Sequence, residues 1–391
     1  MKNILFVHYG DNWIRGSEVC LLNLVKNLSS DFNPFIWTNN SALYSECNHL
    51  NIPARFYSFS IAFSWQEKKF KPFSWYEQLQ HALTLIDNKQ IDCIHINSAA
   101  PCQWVTLAAR IKGIPHLCQL HCHYNLHDRL SLGLNLVPNL VTVSKAVSHG
   151  LNQDGYPKEN LNIIYNGVPE TTASKLNLKQ ILGIPSDAKV LISVGSLIHR
   201  KGFDRIIETL SKLTHNCHLV IIGEGPERAK LKGLTVRLDV AQQVHFVGEV
   251  NNVSDYLAEA DLFISGARSE AFGLVLVEAF WQHLPVIASN VGGIPEVVEH
   301  GISGLLFETE QELIECIDRV LGSQALYQTL ATHGYQRAQQ RFSIQTNTQA
   351  LEEQYHSIMR SQTKPSWLSL MSPLKTLFST RVLKGGNYEA R

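Results

Sequence analysis

The sequence predicts an α/β protein built from two doubly wound parallel-sheet domains, and three observations carry that prediction. Its 391 residues exceed one ordinary domain and suit two. Short apolar runs of strand length alternate with amphipathic helical patterns in both halves, as parallel strands joined by crossover helices require. Between the halves, Pro169-Glu-Thr-Thr-Ala-Ser-Lys175 is polar and aperiodic, the composition of a linker.

In chain order, the first half offers strands at 3–8, 35–37, 54–58, 91–96, 116–120, 140–143 and 163–165. The opening stretch, Met1 to His8, is too short for the core of a signal peptide and reads as the first strand. The turn Trp13-Ile-Arg15-Gly16-Ser17-Glu18 follows it and opens a helix bearing Leu21, Leu22, Leu24, Val25 and Leu28. The second half restarts with strands at 190–194, 219–222, 244–247, 262–265, 286–288 and 305–307. Phe203, Ile206, Ile207, Leu210 and Leu213 keep helical spacing and mark an amphipathic helix against that sheet. A last helical pattern runs over 343–362, and from 363 to 391 the chain turns aromatic and basic.

Thirty-four basic residues balance 34 acidic ones, so nucleic acid is not an expected partner and any anion must meet a local patch. No run of about eighteen apolar residues marks a membrane span. The eight cysteines lack a repeated spacing and read as buried, reduced thiols of a cytoplasmic protein. Cys118, His121, Cys122, His123 and His127 crowd together, but Cys118 lies in a strand whose alternate residues face opposite ways and no second ligand pair has finger spacing. No metal site is assigned to them.

The most informative stretch is Ser269-Glu270-Ala-Phe272-Gly273-Leu274-Val275-Leu-Val-Glu278-Ala279. Glu270 falls in the loop after an apolar strand, a helix is expected from near Phe272, and Glu278 lies about two turns into it. The amides of Phe272, Gly273, Leu274 and Val275 then face the carboxyl end of the strand, where open α/β sheets bind ligands and a phosphate fits. Carboxylates on either side are placed for hydroxyl groups. Glu278 sits among Ala279, Phe280 and Trp281, where an unpaired carboxylate is costly. A second glycine turn, Gly292-Gly293, follows the strand near 285–289 and strengthens the case for a nucleotide.

Glu270 to Glu278 resembles the E-x7-E motif of the retaining glycosyltransferases of family 4, which have the GT-B fold. The motifs of that family recur in order: the turn with Gly16 and Glu18, Gln119-Leu-His121, Val143-Ser-Lys-Ala146, Asn166-Gly-Val168, Val194-Gly195 through Arg200-Lys201-Gly202, Gly223-Glu-Gly-Pro-Glu227 and Gly292-Gly-Ile-Pro-Glu296. The resemblance implies two Rossmann-like domains facing a cleft: an acceptor-binding domain over 1–168, a nucleotide-sugar domain over 169–342, and a helix over 343–362 crossing back to the first domain. It implies transfer from a nucleotide diphosphate sugar to a hydroxyl of a glycan or lipid-linked acceptor, in cell-surface polysaccharide or lipopolysaccharide synthesis. By the same resemblance, Glu270 touches the transferred sugar, Glu278 the ribose, Lys201 the diphosphate, and His121 the sugar near the reacting centre.

Two family positions depart. Ser196 stands where an arginine is common, which makes Arg200 the candidate second cation, and Arg15 replaces the first of two glycines. Arg15 either meets an anionic acceptor or caps its loop. Gly16 still allows backbone amides to approach phosphate. The sequence lacks any Asp-x-Asp triplet, so transfer without metal or other cofactor is expected. It also lacks G-x-G-x-x-G after the first strand, which excludes a dehydrogenase reading. The aromatic and basic residues of 63–76 and the tail make an anionic membrane surface a candidate partner, peripheral on the inner face of the plasma membrane. The rival readings are a synthase or phosphorylase of soluble sugars, and a binding protein of the same fold that has lost transfer.

Overall fold

The computed structural model describes residues 1–62 and 71–361. The tail from 363 and most of the aromatic stretch at 63–70 lie outside the described residues. Among the described residues, thirteen strands form two fully parallel sheets. The chain separates into two compact units, Met1–Gly167 together with the chain from Asn347, and Val168–Thr346.

The first sheet comprises β1 (Lys2–His8), β2 (Phe32–Thr38), β3 (Ala54–Phe56), β4 (Cys93–Ile96), β5 (His116–Leu120), β6 (Leu140–Thr142) and β7 (Leu161–Ile163). Its order is β3-β2-β1-β4-β5-β6-β7. In register, Ile4 to Val7 of β1 lie beside Cys93 to Ile96 of β4. The second sheet comprises β8 (Lys189–Val194), β9 (Cys217–Ile222), β10 (Val244–Gly248), β11 (Leu262–Ser265), β12 (Val286–Ser289) and β13 (Leu305–Phe307), in the order β10-β9-β8-β11-β12-β13. Each sheet therefore reverses direction once, between β1 and β4 and between β8 and β11. Helices leave opposite faces at such a switch point and open a crevice at the carboxyl ends of the strands.

The central strands read as apolar runs because both of their faces are covered, and Ile4 to Val7 and Leu262 to Ile264 are all essentially inaccessible. The expected strands occur with small differences at their ends. The strand expected at 163–165 is Leu161–Ile163, and that expected at 91–96 begins at Cys93. The helix expected over 203–213 ends at Leu210, Leu213 lying in the turn beyond.

The polar segment after Val168 contains no helix or strand before Leu178, yet it is tied to the second unit. Gln282 donates to the Thr171 carbonyl at 2.7 Å, Tyr335 donates to Glu170 at 2.9 Å, and the Ser174 amide donates to Asp255 at 2.6 Å. Val168 itself bridges to Ser343 and accepts the Trp281 indole N–H at 3.0 Å. The second unit begins at Val168, beside the expected 169.

The last described helix is Ile344–Arg360. From Asn347 it belongs to the first unit, where Leu351, Tyr355 and Ile358 join the core of Ile4, Phe6, Leu21 and Phe32. Tyr355 is fully buried and its hydroxyl meets His95 Nδ1 of β4 at 2.6 Å. The second division thus falls at Asn347, four residues beyond the expected 343. Among the described residues no helix is long and apolar enough to cross a membrane.

Candidate functional site

The segments after β8 and β11 carry Arg200, Lys201, Arg268 and Glu270. After β8 the chain turns through Gly195 into a short 3-10 turn, His199–Lys201, closed by Gly202 with φ of 66°. A β-carbon on Gly202 would collide with the Gly266 carbonyl, so only glycine lets this turn lie against the segment after β11. Arg268 fastens the same junction from the other side. It grips Asp204 with two bonds of 2.7 and 2.8 Å and donates to the His199 carbonyl at 2.9 Å. That bidentate bond raises the Arg268 pKa further and holds the Asp204 carboxyl low against its burial.

The junction brings Lys201 Nζ to 2.5 Å from Glu270 Oε2, with both side chains mostly covered. Glu270 Oε1 also accepts the Ala271 amide at 3.1 Å. Arg200 is exposed; it donates to the Ser269 carbonyl at 2.8 Å and stands 3.9 Å from the same Glu270 carboxylate. Three sequence candidates, Lys201, Arg200 and Glu270, therefore converge on one spot. Gly292 and Gly293 brace the Glu270 loop from behind. Gly293 donates its amide to the Glu270 carbonyl at 2.9 Å, and a β-carbon on Gly292 would strike that carbonyl. The helix after this second turn is only Ile294–Val297, so the glycines act here by close backbone approach.

The helix after Glu270 spans Leu274–Trp281, two residues later than expected. Gly273 at φ of 96° lies outside helical geometry and serves as its N-cap, so Phe272 and Gly273 end the loop. The leading helical amides are those of Leu274 and Val275. Phe272 is buried edge-on against Phe342 at 5.5 Å, which makes its side chain part of the core. Glu278 lies in the second turn, with no ion pair or hydrogen bond to its carboxylate among the described residues. Surrounded by protein apart from a partly exposed edge, it is desolvated, and burial pushes its pKa up to about 7.

In the first unit the carboxyl ends of β1, β4 and β5 surround a pocket of about 220 Å³ lined by Trp13, Arg15, Glu18, Asn97 and His121, among others. Glu18 is buried in the first turn of the helix Gly16–Asn27. It meets His8 Nε2 at 2.8 Å and accepts from Ser17 at 3.0 Å and the Arg15 amide at 3.1 Å. Burial alone would raise its pKa, but these donors, His8 foremost, hold it at about 2. His121 follows β5, and its Nε2 lies 3.0 Å from Asn97 Oδ1. Burial pushes the His121 pKa down to about 4. Arg15 is the N-cap residue, its carbonyl accepting the Val19 amide at 2.9 Å, while its guanidinium lies over the Trp13 ring at 5.7 Å and lines the pocket. Gly16 is the first residue of that helix.

Sequence reasoning missed His8, Asn97 and Arg268. Its reading of the cysteines needs one correction: seven are buried, but Cys122 is exposed because it lies in the loop after β5. Among the described residues no three His, Cys, Asp or Glu side chains are grouped to hold a metal ion. Of the aromatic stretch, Phe73 and Tyr76 are exposed, while Trp75 donates its indole N–H to the Gln103 carbonyl at 2.8 Å.

Comparison with known proteins places this geometry in a family. The model of glycosyltransferase family 4 matches residues 14–171, and that of glycosyl transferases group 1 matches residues 174–337. The chain is 24% identical over 290 residues to N-acetyl-alpha-D-glucosaminyl L-malate synthase of Bacillus anthracis, covering 70% of this chain and 76% of that protein. It is 28% identical over 290 residues to TuaC of Bacillus subtilis, a putative teichuronic acid biosynthesis glycosyltransferase, covering 69% and 72%. Among solved structures, Anabaena HepE in complex with UDP and glucose superposes with a TM-score of 0.79 at 24% identity, over 91% of this chain and 100% of that one. The chain belongs to the GT-B glycosyltransferases of family 4, the glycosyl transferases of group 1.

Proposed function

We propose that the protein moves a sugar from a nucleotide diphosphate donor to a hydroxyl of a glycan or lipid-linked acceptor, with retention at the anomeric carbon and without a metal. The observation that carries this reading is the convergence of Lys201, Arg200 and Glu270 ahead of the helix led by Leu274 and Val275, with Glu278 on that helix lacking a partner among the described residues. A departing diphosphate needs positive charge that is already in place. Lys201 has three donor protons, so it can keep Glu270 and still reach a phosphate oxygen. Glu270 is then held where a sugar hydroxyl can donate to it. Glu278 suits the two hydroxyls of a ribose, because each bond donated to it offsets the burial that lifts its pKa.

HepE was solved with UDP and UDP-glucose, which supports a uridine nucleotide as donor. The name of TuaC supports a polysaccharide product, and the Bacillus anthracis synthase supports a second reading in which the acceptor is a small soluble molecule. The protein acts on the acceptor from the first unit through the pocket that His121 lines. Incubation with a panel of UDP-sugars in excess chelator tests the donor assignment. Slow release of free sugar with its anomeric configuration retained is the expected result. A divalent ion required for any turnover would contradict metal-free transfer, and no binding to any nucleotide sugar would contradict the reading as a whole.

A further inference from the structure

The pocket of the first unit holds a chain of contacts that the transfer reading leaves unused. His8 ends β1, Asn97 follows β4 and His121 follows β5, so three neighbouring strands each deliver one polar side chain to the same crevice. His8 and Asn97 are each 1% exposed and Glu18 is 5% exposed, which makes them costly unless their polar atoms are matched. They are matched in series. Glu18 Oε1 meets His8 Nε2 at 2.8 Å, His8 Nδ1 meets Asn97 Nδ2 at 3.1 Å, and Asn97 Oδ1 meets His121 Nε2 at 3.0 Å.

The direction of the series is fixed by a backbone group. Asn97 Nδ2 also donates to the Ser17 carbonyl at 3.2 Å. Turning the amide over would set two oxygens against each other there, so the nitrogen faces Ser17 and His8 and the oxygen faces His121. His8 Nδ1 is then an acceptor and its proton lies on Nε2, directed at Glu18. His121 must place its proton on Nε2 to serve the Asn97 oxygen. Its Nδ1 is left as an unprotonated acceptor.

We propose that Glu18, His8 and Asn97 are positioning residues that lock His121 in the Nε2–H tautomer, so that Nδ1 accepts a hydrogen bond from a hydroxyl of the transferred sugar or of the acceptor. The tautomer assignment stands on the contacts alone, whereas its use in transfer rests on the function proposed above. The Ser17 carbonyl is part of the device, and no side-chain substitution there reproduces its effect. His121 in this state contributes geometry at the reacting centre and no charge to the diphosphate.

Nitrogen-15 NMR of histidine-labelled, full-length protein at neutral pH reads the tautomer directly. His121 should show a protonated Nε2 and an unprotonated Nδ1, and so should His8. A protonated Nδ1 on His121, in either neutral or charged form, would overturn the proposal. Asn97→Ala should give a mixed His121 tautomer and lower kcat about tenfold for the most rapidly used UDP-sugar, with the donor KM changed less than about twofold, because the positioned hydrogen bond serves the reacting centre and not binding of the nucleotide. An unchanged His121 spectrum with parental kcat would also overturn it. If Asn97→Ala does not fold, the parental spectrum decides alone. If no UDP-sugar binds or turns over, the function reading fails while the spectrum still judges the tautomer.

Discussion

The two units place their polar residues at equivalent points, the switch between the first and fourth strands of each sheet, yet the two constellations are in opposite electrostatic condition. In the first unit Glu18 is buried and fully matched, and its pKa falls to about 2. In the second, Glu278 is only partly exposed and has no partner among the described residues, and desolvation lifts its pKa to about 7. Burial acts in the same direction on both, and the difference is the set of donors each carboxylate meets. A satisfied network keeps one geometry before any substrate arrives. An unsatisfied carboxylate stores a cost that a ligand with hydroxyl donors would remove, so under the proposed function stability is given up where affinity would be gained. Lys201 and Glu270 lie between these extremes, paired with each other but partly open.

The largest expected effect is on the stability of the first unit. Glu18→Ala leaves His8 and the Ser17 hydroxyl without their acceptor in a buried site and should cost about 2 kcal/mol, within the range for leaving buried donors unsatisfied. Parental stability should carry the matching pH signature. The folded pKa of Glu18 is below the usual 4.5, so its contribution is present above pH 4.5 and is lost as the pH falls towards 2. Urea titrations across that window measure both effects.

Next comes turnover. Lys201→Ala should slow sugar release at least tenfold, since a charged hydrogen bond is worth roughly 1.5 to 3 kcal/mol and each 1.4 kcal/mol is a factor of ten. Glu270→Gln should slow it comparably with little change in nucleotide affinity. Steady-state kinetics with UDP-sugars separate the two parameters. Arg200 shares Glu270 at 3.9 Å and is tied to Ser269, so Arg200→Ala should have a smaller effect than Lys201→Ala. Adding Ser196→Arg to that variant should restore part of the rate.

The sharpest test of the comparison is a variant that stabilises. The folded pKa of Glu278, about 7, lies above the usual 4.5, so the unfolded chain loses its proton first and parental stability falls as the pH rises from 4.5 to 7. Glu278→Gln should therefore melt higher than the parent at pH 8 and little differently at pH 4.5, while binding UDP more weakly. A lower melting temperature at pH 8 would place Glu278 among the matched carboxylates and remove the contrast between the units. Differential scanning calorimetry reads the outcome.

Much of this arrangement is legible in the sequence because it is local. The strands are covered on both faces and so read as unbroken apolar runs, and Lys201, Glu270 and Glu278 each lie at a recognisable distance from a strand end or a glycine. What is not legible is which strand ends become neighbours. His8 and Asn97 are 89 residues apart and meet only because β4 inserts beside β1, and no local pattern announces that order. Arg268 escaped notice because its partners, Asp204 and the His199 carbonyl, lie 64 and 69 residues away. The start of the helix at Leu274 was misplaced because an apolar run does not show that Gly273 has a positive φ. Buried polar residues at the carboxyl ends of apolar strands were the available signal.

The central claim is that the second unit holds an unmatched carboxylate that a nucleotide diphosphate satisfies. Carbon-13 NMR of the Glu278 carboxyl, titrated from pH 4 to 9 in chelator with and without saturating UDP, tests it most directly. The account predicts a midpoint near 7 without UDP, a lower one with UDP, and by linkage a UDP affinity that rises with pH up to about 7 and then levels. A midpoint in the ordinary carboxylate range, or one that saturating UDP leaves unmoved, would contradict it.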